Sequence, residues 1–119
     1  MKFSIKDRLH LLQVMPKEGN LTTVKVLRQV QEELEFSEDE LDTYEIETDS
    51  RGGVSWNEEG KKFEKEVEIS DRVKKLIRKS LKELDKKGKL YINLIDLYEM
   101  FIPEKKPKLV EKESKEASG

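Results

Sequence analysis

The fold class is decided by the stretch Tyr44–Trp56, which reads YEIETDSRGGVSW. Residues 44–49 alternate between acidic side chains and apolar or neutral ones, a two-residue period typical of a β-strand with one solvated face. Residues 50–53, Ser-Arg-Gly-Gly, suit a tight reversal, because glycine accepts positive φ without a steric penalty. Val54 and Trp56 continue the alternation on the return strand. The stretch therefore predicts a β-hairpin.

The sequence before the hairpin has helical spacing. Residues 4–15 predict a first helix, which Ser4 caps. A second helix, opened by Thr22 or Thr23, carries apolar side chains at three- and four-residue intervals. A capping box that starts at Ser37 predicts one further helical turn.

The sequence after the hairpin returns to the helical period. We expect a loop around residues 57–62 and then a third strand over residues 63–69, where apolar and acidic side chains alternate again. A long helix over residues 72–87, capped by Ser70 or Asp71, has the clearest apolar stripe in the chain. A last helix is expected to be capped by Asn93.

These elements predict a two-layer α+β domain, because the apolar face of a small sheet must be covered by amphipathic helices. The expected architecture has an N-terminal helical pair, a central antiparallel β meander of about three strands, and two C-terminal helices. The domain is predicted to span residues 1–102. Residues 103–119 have no apolar periodicity and predict a disordered charged tail, since they cannot bury enough surface to offset the entropy of ordering.

The composition excludes several classes of protein. The chain has 119 residues, no cysteine and one histidine, which excludes a disulfide scaffold, a thiol nucleophile and a zinc finger. It has no apolar run of membrane-spanning length, and its charged N-terminus does not resemble a signal peptide. We therefore expect a cytoplasmic protein without a membrane partner. The abundance of Lys and Glu is typical of heat-adapted proteins.

No set of residues indicates catalysis. The single histidine, His10, has no acid and nucleophile at a spacing that suggests a triad, and a lone helical histidine is usually structural. Residues 45–56 superficially resemble a calcium loop, but Ser50 stands where glycine is required and Trp56 where a bidentate glutamate belongs. A glycine-rich phosphate loop is also missing. We therefore predict no catalytic residue, no cofactor and no metal, and we do not expect an enzyme.

The charges are segregated along the chain, although 24 basic and 26 acidic residues nearly cancel. Residues 32–49, here called the acidic region, contain ten acids and no base. The predicted long helix is rich in bases, and five of them lie opposite its apolar stripe. These five residues, here called the basic face, are Lys75, Arg78, Lys79, Lys82 and Lys86.

Three interpretations of this segregation remain open. The first is a solvated surface with local i,i+4 ion pairs. The second is recognition of another protein, or self-association, through complementary patches. The third is nucleic-acid binding by the basic face through phosphate neutralisation, which the neighbouring acids disfavour. A winged-helix reader of DNA fits poorly, because the short acidic segment 38–42 stands where a recognition helix would lie.

Trp56 is a further candidate for partner binding. Only 34% of the residues are hydrophobic, so most aromatic side chains are expected in the core. A tryptophan at the edge of a sheet is, however, a frequent interface hot spot. Trp56 therefore joins the basic face as a candidate partner-binding residue.

Three stretches carry a resemblance to a group of known sequences: Ile5-Lys6-Asp7-Arg8-Leu9, Met15-Pro16-Lys17-Glu18-Gly19-Asn20 and Ser55-Trp56-Asn57. Followed by the long basic helix, they resemble small uncharacterised proteins encoded by phages and prophages. The resemblance covers most of residues 5–101, implies an accessory or assembly role, and assigns no functional residue. The leading hypothesis is a non-enzymatic protein-interaction module, and the alternative is a nucleic-acid-associated protein that uses the basic face.

Overall fold

The computed structural model describes residues 1–103, and the predicted tail lies outside the described residues from position 104 onward. The elements, in chain order, are β1 Lys2–Ser4, α1 Ile5–Val14, α2 Leu21–Leu34, α3 Glu38–Thr43, β2 Glu47–Thr48, β3 Val54–Ser55, α4 Glu58–Lys62, β4 Glu64–Glu66, α5 Asp71–Lys86 and α6 Ile95–Phe101. A 3-10 turn, Ile92–Leu94, leads into α6. This mixture of helices and short antiparallel strands confirms the predicted α+β class.

The N-terminal helical pair is present, and both helices begin at capping residues. The Ser4 hydroxyl accepts the backbone N–H of Asp7 at 3.0 Å, and the Asp7 carboxylate accepts the N–H of Ser4 at 3.3 Å. Helix α1 therefore opens with a capping box. Helix α2 begins earlier than the predicted threonines, because the Asn20 side chain accepts the N–H of Thr23 at 2.9 Å. Asparagine is among the strongest N-cap residues, so it sets the start of α2.

The predicted three-stranded meander is wrong in its pairing. Strands β2 and β3 form the expected hairpin, in which Glu47 is opposite Ser55. Strand β4, however, pairs antiparallel with β1, and Phe3 is opposite Lys65. The described residues therefore contain two separate two-stranded sheets instead of one meander. Strand β1 was not predicted from the sequence. The hairpin strands were therefore the only expected partners for the strand after the hairpin.

The hairpin strands are also shorter than predicted. Tyr44 ends α3, and Glu45 follows with a φ of 51°, in the left-handed region. The alternating pattern at residues 44–46 therefore belongs to a helix end and its turn. The reversal itself is as expected, because Gly52 has a φ of 86° and the Asp49 carboxylate accepts the N–H groups of Arg51 and Gly53 at 2.9 and 2.8 Å.

The predicted loop after the hairpin is the short helix α4. The Asn57 side chain accepts the backbone N–H of Gly60 at 2.8 Å and caps the helix. A Cβ at Gly60 would lie 3.1 Å from Ile5 Cδ1 and 3.1 Å from Trp56 Cδ1. Glycine at this position therefore allows α4 to pack closely against the start of α1.

A fully buried arginine joins the first three helices. Arg8 has 0% of its surface exposed. Its Nε donates to the carbonyl of Leu34 at 3.0 Å, and its Nη2 donates to the carbonyl of Glu35 at 2.8 Å. Nη1 and Nη2 each donate to the Glu40 carboxylate at 3.0 Å, and the guanidinium carbon lies 4.1 Å from the Phe36 ring centroid. The end of α2 and the start of α3 are thus fixed to α1.

The two C-terminal helices are present. Ser70 caps α5 by accepting the N–H of Val73 at 3.3 Å, and the helix ends near Gly88, which has a φ of 67°. Asn93 does not cap the last helix, since it lies inside the 3-10 turn that precedes α6. Neither of these helices, nor any other within residues 1–103, is long and apolar enough to cross a membrane.

The hydrophobic core is built mainly by β1, by helices α1, α2, α5 and α6, and by the segment that follows β4. Phe3 of β1 stacks on Phe101 of α6 with ring centroids 6.3 Å apart, and Val67 and Ile69, which follow β4, are buried in the same cluster. No buried hydrophobic residue comes from positions 35–66. The expectation that helices cover the hairpin is therefore wrong, and the hairpin lies outside the core.

Candidate partner-binding surfaces

The basic face lies on α5, directed away from the core. Val73, Ile77 and Leu81 are fully buried, and at about 100° per residue the five basic residues lie on the opposite side of the helix. Lys75, Lys79, Lys82 and Lys86 are all exposed. They extend over about 16 Å of the helix axis at 1.5 Å per residue. The structure therefore brings four of the predicted residues together on one accessible surface.

Arg78, the fifth member of the basic face, has a different role from the four lysines. It is half-buried, and its Nε donates to the carbonyl of Phe101 at 2.8 Å. This bond satisfies a carbonyl at the end of α6, where the helix leaves such groups without intrahelical partners. Arg78 thus contributes charge to the basic face and also joins α5 to α6.

Within residues 1–103, the basic face carries its charge without ion pairs. Among the described residues, none of its five side chains lies within ion-pair distance of an acid. Arg78, Lys82 and Lys86 follow one another at i,i+4, and like charges at this spacing destabilise a helix. Lys79 differs, because Glu83 follows it at i,i+4. The interpretation of this surface as a set of local i,i+4 ion pairs is therefore not supported by the geometry.

The acidic region remains separate from the basic face. Of its ten acids, only Glu40 is not exposed. Burial acts to raise the pKa of Glu40, but hydrogen bonds from Arg8 and from the Ser37 N–H outweigh it, so the pKa lies below its ordinary value. In residues 1–103, no acid of this region pairs with a base of α5. Both charged surfaces are thus present on the folded domain without neutralising each other.

A depression of about 950 Å³, open to solvent, lies between α2 and the segment joining β4 to α5. Glu32, Glu33, Glu68 and Asp71 are among its lining residues. Lys65 also lines it and donates to the carbonyl of Glu33 at 2.6 Å. Within the described part of the chain, no group of acids and histidines is arranged to hold a metal ion.

His10 lies at the edge of the core, away from both charged surfaces. Its ring is edge-on to Tyr91, with centroids 5.9 Å apart, and its Nδ1 is buried without a hydrogen-bond partner. Burial, assisted by the nearby Lys6 ammonium, lowers the pKa of His10, although Asp7 acts in the opposite direction. This environment favours a neutral imidazole packed against an aromatic ring.

Trp56 lies just after β3, an edge strand of the two-stranded hairpin sheet, and it is half-buried. A Cβ at Gly60 would lie 3.1 Å from Trp56 Cδ1, so α4 covers part of this side chain. The Tyr44 and Phe63 rings, which precede and follow the hairpin in the chain, stack at a centroid distance of 4.5 Å. Trp56 is not among the residues that line the depression at the basic face.

An exposed apolar patch that the sequence pattern did not predict lies beside α6. Tyr91, Ile92 and Ile95 are 45%, 83% and 52% exposed. A signal was present in the sequence, because the two isoleucines lie outside the stripe at positions 94, 97, 98 and 101 that faces the core. We call Tyr91, Ile92 and Ile95 the apolar patch.

Comparisons with protein-family models, with curated protein sequences and with solved structures find no match to this chain.

Proposed function

We propose that this protein is a non-enzymatic binding module whose basic face docks on an acidic surface of another protein. The observation that carries the proposal is the row of exposed lysines on α5 without any ion pair among the described residues. A stable helix gains nothing from like charges at i,i+4, which cost about 0.2–0.5 kcal/mol per pair. A partner of opposite charge removes this repulsion when it binds.

The domain as a whole fits a protein partner better than a nucleic acid. The exposed acids of residues 32–49 would repel a phosphate backbone approaching from their side. The exposed cations are lysines, which act as point charges, whereas base recognition favours the planar fork of arginine. Glu83 borders the basic face, so even this surface is not uniformly basic. Complementary patches of both signs are instead typical of protein association.

The resemblance described above gives this proposal a biological setting. A small accessory or assembly protein encoded by a phage acts by binding other proteins, and this one would do so in the cytoplasm. Both statements belong to the proposal, and they add no residue to the binding surface.

An NMR titration with two polyanions tests the proposal. A poly-glutamate peptide and a DNA duplex of equal charge are added to the ¹⁵N-labelled protein at low salt. We expect the peptide to shift the amide signals of α5, and we expect the double variant K79Q/K82Q to weaken this binding by about tenfold. The matched control is K25Q/K62Q, which removes two exposed lysines from other helices and should leave binding within about twofold.

Two results would count against the proposal. If the duplex binds at least about tenfold more tightly than the peptide, with the steep salt dependence of phosphate contacts, the protein is a nucleic-acid binder. If neither polyanion shifts the signals of α5 at low salt, the basic face is a solvated surface.

A further inference from the structure

The apolar patch is an unusual feature in a chain with so few hydrophobic residues. Five large hydrophobic side chains are exposed in the described part of the chain, and Tyr91, Ile92 and Ile95 are three of them. The other two, Leu21 and Leu41, lie on different helices. Singly exposed apolar residues are common, whereas three of them within five consecutive positions offer one surface that another molecule could cover.

The patch is held rigidly in place. The Tyr91 hydroxyl donates to the Gln13 side-chain carbonyl at 3.0 Å, and the Tyr91 ring packs against His10. Ile92 lies in the 3-10 turn, and Ile95 is one turn further along, at the start of α6. A preformed apolar surface loses little conformational entropy when it is covered, which favours association.

Charges of opposite sign lie on two sides of Tyr91. One depression beside this ring, of about 290 Å³, is also lined by Asp85 and Glu99. A second depression, of about 380 Å³, shares Tyr91 and is lined by Lys87 and Lys89 together with Glu83. The rim of the patch is therefore acidic on one side and mainly basic on the other.

We infer that the apolar patch is the interface of a two-fold symmetric homodimer of this chain. In a two-fold contact the same patch is used by both copies, so it must be complementary to itself. A rotation about an axis through the patch brings the Asp85 and Glu99 side of one copy toward the Lys87 and Lys89 side of the other. The isoleucines of both copies are then buried together at the centre.

This charge arrangement favours a second copy over a different partner. A partner of one charge sign would meet like charge on one side of the rim, and that side would repel it. The inference is independent of the proposed function, because the basic face residues Lys75, Lys79 and Lys82 are not among those that line either depression.

Sedimentation equilibrium over a range of protein concentrations tests the dimer. We expect the wild-type chain to dimerise with a Kd below about 1 mM, and the double variant I92S/I95S to weaken dimerisation by at least about tenfold. Both isoleucines are exposed, so circular dichroism should show an unchanged fold. The matched control is L21S, which removes an apolar side chain that is 71% exposed at the start of α2 and should leave the dimer intact.

A charge exchange tests the two-fold arrangement itself. The single variants K89E and E99K place like charges together across the axis, and each should weaken dimerisation by about three- to tenfold. The double variant K89E/E99K restores opposite charges and should return to within about threefold of the wild type. A wild-type chain that stays monomeric at about 1 mM overturns the inference, as does a dimer that I92S/I95S leaves unchanged.

Binding of poly-glutamate by the basic face gives a separate result. Because K79Q/K82Q alters only α5, it should not change the dimer Kd. Failure of the dimer and failure of the proposed function are therefore observed in different measurements.

Discussion

Both terminal nitrogens of the Arg8 guanidinium donate to the carboxylate of Glu40, each at 3.0 Å, although the two residues are 32 positions apart. Arg8 is fully buried, and 16% of the Glu40 side chain is exposed. A planar guanidinium is suited to this bidentate contact with a carboxylate. Its Nε remains available to donate to a backbone carbonyl of α2. One side chain thus fixes the positions of three helices.

Loss of the Glu40 carboxylate should destabilise the domain. Glu40→Gln leaves the buried Arg8 charge without its anion, so we expect the free energy of unfolding to fall by about 2 kcal/mol. Urea denaturation at neutral pH measures this change. The control is Glu38→Gln, which alters an exposed acid in the same first turn of α3 and should cost less than about 1 kcal/mol. If both variants lose the same unfolding free energy, the contact between Glu40 and Arg8 contributes no more to stability than an exposed acid does.

Acid should remove the same stabilisation. Because the pKa of Glu40 is lower in the folded than in the unfolded chain, its contribution is present above the ordinary glutamate pKa and is lost as pH falls through the folded value. The unfolding free energies of the wild type and Glu40→Gln should therefore converge as the pH falls below about 4.5. The pKa of Glu66 is also lowered, by the hydrogen bond from the Met1 amino group, but it titrates equally in both proteins. Curves that stay parallel throughout acid unfolding would contradict the assignment to Glu40.

His10 should make the domain less stable in weak acid. Burial lowers the pKa of the folded imidazole, so the unfolded chain takes up a proton first as pH falls below about 6.5. The contribution of His10 to the free energy of unfolding is therefore complete above the pKa of the unfolded chain. It is lost as pH falls through the pKa of the folded chain. The variant His10→Gln should lack this component of the pH dependence between pH 7.5 and pH 5, as measured by urea unfolding. If unfolding free energy depends on pH with the same slope in the wild type and in the variant, burial of neutral His10 is not the cause.

Reversal of one charge on the basic face should stabilise the helix. Lys82 has Arg78 four residues before it and Lys86 four residues after it. Lys82→Glu turns two repulsive pairs into attractive ones, and we expect a gain of about 0.5–1 kcal/mol at low salt. Thermal unfolding at low and high ionic strength measures the gain, which should shrink when salt screens exposed charges. A gain that does not depend on salt would have another cause.

A methyl group at Gly60 should disturb the packing of α4 on α1. Its Cβ would lie 3.1 Å from Ile5 Cδ1, and Ile5 is only 1% exposed and has little room to move. We expect Gly60→Ala to cost about 1 kcal/mol, in spite of the better helix propensity of alanine. The adjacent Trp56 ring gives a fluorescence signal for the change. Glu59→Ala, at an exposed position of the same helix, is the control and should not destabilise the domain. If Gly60→Ala is more stable than the wild type, Ile5 and Trp56 can move enough to accommodate the methyl group.

Much of the helical architecture was predictable, because it depends on local signals. Ser4, Ser37 and Ser70 cap the helices where their spacing to a following acid or apolar run places the cap. The apolar stripe of α5 also predicted which side of that helix faces the core. Helix caps and apolar stripes depend only on residues that are close together in the chain, so they can be recognised from one sequence.

Two features were not predictable in this way: the pairing of the strands and the structural role of single residues such as Arg8. Strand β1 has three residues, and its partner β4 is more than sixty positions away, so no local period reveals the pair. Arg8 appears as one more charged residue until the carbonyls of Leu34 and Glu35 surround it. The basic face could be predicted from the helical period, whereas its lack of ion pairs among residues 1–103 depends on where the neighbouring elements lie.

The pairing of β1 with β4 has a consequence for synthesis on the ribosome. Phe3 emerges early, but the strand opposite it and the adjoining core residue Val67 follow only after the hairpin has been translated. Until then α1 and α2 can bury their apolar stripes only against each other. The nascent chain must therefore wait for residues beyond Ile69 before its first two helices find a stable place, and a translation product that stops at the hairpin will be a substrate for chaperones or proteases.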